Sequence, residues 1–575
     1  MKTKNERRIT VFALSLIIAA IPIACTDFLE VTPPGKLTPD LLTSPEGIDA
    51  LLVSAYSALD GCTQGLASTG WQNDFSNWVY GDVASDDLLK GSEVADQSEM
   101  DQFCIMSTLT PSNSYLRANW AAVYEAVSRC NTVLKTLSND ISISKDEQIR
   151  ISAEARYLRA HYYHLGRRYW GKIPWIDENT TDFIVPNDKD IFDKIESDFL
   201  YSIENLPIEP KYAGSTHKYA AKAGLAKLYM DEHLYNDAKG LLDDIINSGK
   251  YKLFDNFFDN FTGENENLTN NTEFIFQIQA ILGSGIPFFN GNWGRCICGI
   301  AQLHGCCGLG QPSQNLVNAF KTDANGLPLL DTFNDTDLKN DDGIRSSEPF
   351  TPTTDNLDPR LDWTVARRGI PYFDWNIDGN GGNLFPGQAF VVDQVNYGPY
   401  RVKKFMPSKA QKDAMDGGFL GGSYINYSIY RFADLLLMRA EIAVEDNDLD
   451  MALDLVNRVR LRARNGEPLR FQNGSPAANY VIEPYPSFSN QEYARKAVRF
   501  ERRLELANEG HRRYDLVRWN IAEEVMNAYF ASEGKKRPLL RQGAYVSDFL
   551  PIPADQIEIT KDDNGNPTLI QNDGY

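Results

Sequence analysis

The chain has 575 residues, a formal net charge of −21, 42% hydrophobic residues and 11% aromatic ones. So large an acidic excess, with no run of Lys and Arg five residues long, argues against nucleic acid and an anionic membrane surface as partners, since both demand a basic patch. The length allows several domains, yet no Pro/Ser/Gly-rich linker divides it, and one large domain with long insertions is expected.

Lys2, Lys4, Arg7 and Arg8 precede an apolar run over 11–24, short for a membrane span and right for a secretory signal. The run ends in Ala24-Cys25. A small residue before Cys is where a lipoprotein signal is cut and the thiol acylated, so 1–24 reads as signal peptide and Cys25 as the lipidated first residue of a mature chain spanning 25–575. An ordinary signal peptide with an incidental cysteine is the alternative.

Ser44 stands as an N-cap before PEGIDALLVSAYSALDG, whose Ile48, Leu51, Leu52 and Tyr56 share a face and which stops at Gly61. The loop that follows gathers Trp71, Asn73, Asp74, Trp78, Asp82, Asp86 and Asp87. Two helical stretches come next, one with Trp120, Val123, Tyr124, Val127 and Val133, the other around Ala155 and Ala160 and ended by Gly171 and Pro174. The segment 218–251 then predicts a helix hairpin, with Leu225, Leu228, Leu242 and Ile245 in a buried stripe and small Ala226 and Ala238 where the helices touch. The same spacing returns at Ala440 and Ala452. Hairpins of this kind cannot bury both of their faces, so copies should stack into an α-solenoid of the tetratricopeptide type.

From about 256 to 422 the pattern loosens into a long insertion, with strand-like EFIFQIQA and QAFVVDQV between Gly, Asn and Asp. It holds Cys296, Cys298, Cys306 and Cys307, whose spacing is not that of common zinc sites and fits disulfides in an exported chain, a vicinal Cys306–Cys307 bridge among them. Cys62, Cys104 and Cys130 read as buried small hydrophobes. Asp374, Asn376 and Asp378 reproduce the opening of a calcium loop, but Phe385 stands where its bidentate Glu belongs, and an Asx-rich turn is the plainer reading. Apart from that calcium no cofactor is expected. Helical pattern resumes at 427, where a signature region over 427–575 begins, and continues through RKAVRFERRLELANEGHRRYDLVRWN, read as one helix whose alternating charges form intramolecular ion pairs.

No HExxH, G-x-S-x-G or glycine-rich phosphate loop is present, so catalysis has no motif behind it. A glycosidase would need paired carboxylates, for which Asp82, Asp86 and Asp87 are the nominees; His161 and His164 read as core or surface residues. A scaffold reading explains the helices and leaves the aromatic loops over. A binder reading uses them, because a sugar ring packs its C–H face on Trp or Tyr and needs Asn, Asp and Arg at its hydroxyls. Trp71, Asn73, Asp74 and Trp78 supply both kinds in one loop, and Asn292, Trp293, Arg367, Arg368 and Tyr400 supply them from the insertion.

CTDFLE at Cys25, GDVASDD, WAAVYEAVSRCN, AEARYLRAHYYHL, DPRLDWTV, YRFADLLLMRAEIAV, ERRLELANEGHRRYDLVRW and FLPIPADQIEI together resemble the SusD/RagB family of outer-membrane nutrient-binding lipoproteins, over the whole mature chain. The resemblance implies a mostly α-helical, repeat-based fold, anchored to the outer membrane by lipid and lying as a lid over a TonB-dependent porin of the SusC type. It implies capture of glycans for import, with peptide as the alternative cargo and a glycoside hydrolase as the less favoured reading. It also implies ligand sites built from the loops just named.

Overall fold

The computed structural model describes residues 42–61, 72–139, 141–262, 272–280, 307–375, 377, 382–410 and 425–575. Helix α1 (Pro45–Ser57) starts where the Ser44 side chain accepts a hydrogen bond from Gly47 N, with Pro at its first position. Helices α2 (Ser114–Leu137), α3 (Lys145–Trp170), α4 (Phe192–Asn205), α5 (Lys218–Asp231) and α6 (Tyr235–Asn247) follow, each packed against the one before it. The next long helix, α7 (Phe432–Glu445), comes only after the insertion yet packs on α6 and continues the stack with α8 (Leu449–Asn465) and α9 (Gln491–Leu506). The fold is thus a mostly helical, tetratricopeptide-like array interrupted once. Ala226, Ala238, Ala440 and Ala452 are all fully buried at the two hairpin contacts, as the spacing requires.

Among the described residues three two-stranded antiparallel sheets hold the insertion in place. β2 (Phe274–Ile278) pairs with β6 (Tyr427–Arg431), so the segment's two ends close on each other. β1 (Leu88–Gly91) pairs with β3 (Leu309–Pro312), tying it to the N-terminal part, and β4 (Val365–Ala366) pairs with β5 (Arg401–Val402). Two expectations are corrected here. QAFVVDQV is not a strand but a 3₁₀ turn at Gln388–Phe390 followed by a one-turn helix, Gln394–Tyr397. The final charged run is not one helix. It breaks after Leu506, with Asn508 and Gly510 at positive φ, and resumes as α10 (Arg512–Arg518), beyond which α11 (Ala522–Glu533) follows.

The charges of α9 pair mainly with distant segments rather than along the helix. Arg360 reaches Asp358, Glu501 and Glu505; Arg431 reaches Glu273, Glu505 and Glu509; Arg460 and Arg462 close on Glu501, Glu505 and Glu273; and Lys404 meets Glu509. All of these side chains are buried. A buried ion survives only with its partners and hydrogen bonds in place, and here scaffold, insertion and C-terminal helices each contribute some.

Candidate functional site

The described residues of the two expected binding loops are inside the protein. Trp78 opens a π-helical turn, Trp78–Val83, and has no exposed surface; Asn73 and Asp74 are buried beside it, with Asp74 accepting from Ser76 N at 2.8 Å. Residues 73–87 do not lie on the surface because their acids bind the C-terminal helices. Asp82 accepts from Gly510 N at 2.9 and 3.0 Å, Asp86 from Arg512 at 2.7 and 2.9 Å, and Asp87 from Arg503 at 2.8 Å. The carboxylates nominated for glycosidase chemistry are therefore buried structural anions. Arg367 clasps Asp362 at 2.6 and 2.8 Å, and Tyr400 donates to Gln314 Oε1 at 2.9 Å. Arg368 donates to Ser346 O and Glu348 O, fixing a turn. These six residues are corrected from ligand-facing to structural: a Trp, Asn or Arg that suits a sugar equally suits a core once partners surround it.

Trp71, Asn292, Trp293, Cys306, Asn376, Asp378 and Cys25 lie outside the described residues. Cys307 is disulfide-bonded, while Cys104 and Cys130 are buried free thiols. Asp374 accepts from Lys409 N at 3.0 and 3.1 Å, and among the described residues no group of three or more His, Cys, Asp or Glu side chains is placed to hold a metal ion.

What the structure offers at its surface is a loop that sequence reasoning passed over. Between α4 and α5, Tyr212–Ser215 forms a turn in which Ser215 N donates to Tyr212 O at 3.0 Å. A cleft of about 370 Å³ lies on one side, floored by Tyr251, Phe274 and Phe276, and another of about 400 Å³ lies on the other, walled by Val53, Tyr56, Ser57 and Asp60 of the first helical segment. Both share Tyr212, Gly214, Gln277 and Gln279, and both volumes suit a small-molecule site. Tyr212 is 58% exposed. The loop is pinned from below: Thr216 N donates to Tyr56 OH at 2.9 Å, Tyr56 in turn donates to Glu154 at 2.6 Å, and His217 Nε2 meets Ile275 O at 2.9 Å. Gly214, at φ +83°, lies against Gln279, where a Cβ would come within 2.5 Å of Gln279 Cγ. Asn426 bridges the strands beneath, its amide 3.4 Å from Gln277 Oε1 and 3.3 Å from Gln279 Oε1. Exposed Tyr beside Pro210 and Gly214 in a short loop was the available signal, and no motif attaches to it.

A family model described as the SusD family matches residues 272–575, over half of the chain. The chain belongs to the SusD family. A second model, described as starch-binding and associating with the outer membrane, matches 27–230. The SusD-like protein P25 of Formosa agariphila is 24% identical, the match covering 96% of this chain and 95% of that one. Among solved structures, a SusD superfamily protein from Bacteroides vulgatus superposes with a TM-score of 0.66 at 20% identity, covering 92% of this chain and 99% of that one. Surface glycan-binding protein A from Bacteroides thetaiotaomicron, solved with laminarihexaose, superposes with a TM-score of 0.63 at 20% identity over 92% and 100%. These likenesses agree with the helical SusD-type fold described above. Among the described residues no helix of this SusD-family chain is long and apolar enough to cross a membrane.

Proposed function

We propose that this SusD-family protein is a cell-surface glycan-binding lipoprotein, anchored in the outer membrane through Cys25, that captures oligo- or polysaccharide and passes it to a SusC-type TonB-dependent transporter. The supporting observation is the near full-length likeness to a surface glycan-binding protein solved with laminarihexaose. The chemistry agrees with capture rather than cleavage, since the nominated acids Asp82, Asp86 and Asp87 are each committed to Arg or backbone partners. We assign Trp71 and Trp293 as stacking rings and Asn292 as a hydroxyl partner. Stacking is tolerant of geometry, so affinity for one chain is expected at micromolar to millimolar Kd, about 4 to 8 kcal/mol.

Native electrophoresis through gels cast with laminarin or starch tests this. The mature protein should be retarded, and Trp71→Ala or Trp293→Ala should run freely at an unchanged melting temperature. Free migration of the unmodified protein through every polysaccharide, together with binding to a peptide library, would replace glycan with peptide as the cargo.

A further inference from the structure

We propose that the paired clefts astride the Tyr212–Ser215 loop form a binding site for a neutral oligosaccharide; this rests on the glycan-capture reading and adds a place and a charge class to it. Tyr212 offers the apolar surface. Lys211 lies over its ring at 5.2 Å from the centroid, and more than half of the side chain still faces solvent, enough for the C–H face of a pyranose. Gln279 offers the polar edge. Its Oε1 receives only the long contact from Asn426, and its Nε2 has no partner among the described residues, leaving an amide that both donates and accepts, as a hydroxyl requires. Apolar Phe274 and Phe276 line the first cleft below this edge.

The charge class follows from the ion pairs around the loop. Lys211 is held by Glu147 at 2.5 Å and Lys250 by Glu209, so the two lysines beside the clefts are already neutralised, and Asp60 adds a carboxylate to the second cleft. A uronate or sulfated chain would have to displace one of those carboxylates and approach a protein of net charge −21. A neutral chain meets no such barrier and can use the amides, the ring and the backbone as they stand. The bonds from Thr216 to Tyr56 and from His217 to Ile275 fix the loop in advance, so little ordering has to accompany binding.

Hydroxyl-radical footprinting and titration calorimetry on the whole mature chain test the assignment, with laminarihexaose and maltohexaose as neutral probes and hexagalacturonate as the anionic one. Tyr212 is expected to be labelled in the free protein and protected by a neutral hexasaccharide. Tyr212→Ala and Gln279→Ala, both surface changes, should weaken that binding by about tenfold at an unchanged melting temperature. The Kd should stay constant between about 50 and 500 mM salt. If a neutral glycan binds while Tyr212 remains fully labelled and both variants bind normally, glycan capture stands and this site falls. Tighter binding of hexagalacturonate overturns the charge class. Failure of the unmodified protein to bind any polysaccharide or hexasaccharide overturns the capture reading and this one with it.

Discussion

His217 lies under the Tyr212 loop, and burial lowers its pKa from 6.5 to about 4. The folded state therefore keeps it neutral at pH values where the unfolded chain takes up a proton. Its contribution is intact above pH 6.5 and shrinks as pH falls, the loss reaching roughly 2 kcal/mol at pH 5 and becoming complete only below pH 4. Asp101 and Asp341, which burial raises to about 6, work in the opposite direction, so the comparison has to be made against a variant. We expect urea unfolding of His217→Gln to lose about 2 kcal/mol less than wild type between pH 7 and pH 5; equal losses would show that His217 is solvated. Trp78→Ala should cost about 3–5 kcal/mol, as expected for a buried Trp, and should leave glycan binding at the Tyr212 clefts in place at low temperature. Trp78 also marks the limit of what the sequence tells about the site. Its loop has the composition of a sugar site, and composition does not record that Asp82, Asp86 and Asp87 draw the same loop inward onto residues some four hundred positions later.

At the scale of elements, the helical hairpins were legible because small and large apolar residues recur at helical spacing, a local signal that packing then confirms at Ala226 and Ala238. The break between α9 and α10 was less so. Asn508 and Gly510 announced it, but Arg and Glu continued at helix-neighbour spacing on both sides and masked the stop. The break is where the π-helical turn docks: a Cβ on Gly81 would lie 2.2 Å from Gly510 O, backbone against backbone. Gly81→Ala is expected to destabilise the protein by more than the roughly 1–3 kcal/mol of ordinary overpacking, because neither segment can yield without losing the bonds from Gly510 N to Asp82. A normal melting temperature for that variant would show that the two segments separate freely. Ala226→Leu, wedged between α5 and α6, should cost about 1–3 kcal/mol for the same steric reason at a more pliable contact.

Across the whole molecule, the buried ion network joins parts that the repeat alone would not hold together. Burial by itself would raise the Glu505 pKa, but Arg462, Arg431 and Arg360 reverse this and hold it far below its usual 4.5. Its contribution is thus complete above pH 4.5 and declines only in stronger acid. Glu505→Gln should cost about 3–5 kcal/mol at pH 7, since it leaves buried guanidinium groups short of charge; a loss under about 1 kcal/mol would mean that water reaches the network. On the same scale, Cys25→Ala should shift the protein from the membrane to the soluble fraction, and mild detergent extraction of the wild type should recover a β-barrel partner of larger mass. Unchanged partition of the variant would refute the anchor, and recovery of the lipoprotein alone across several detergents would refute the partner.

The network also sets an order of events for a chain made from its N-terminus. Its cations, Arg360, Lys404, Arg431, Arg460 and Arg462, all precede residue 465, whereas Glu501, Glu505 and Glu509 come after it, leaving only Glu273 and Asp358 as early counter-charges. A nascent chain stopped before α9 would have to bury five positive groups against two negative ones, so its repeats can stack but its centre cannot close. Completion waits for Glu501, Glu505 and Glu509 to be made, and a ribosome-stalled or truncated product ending near residue 490 should remain protease-sensitive where the 575-residue chain resists.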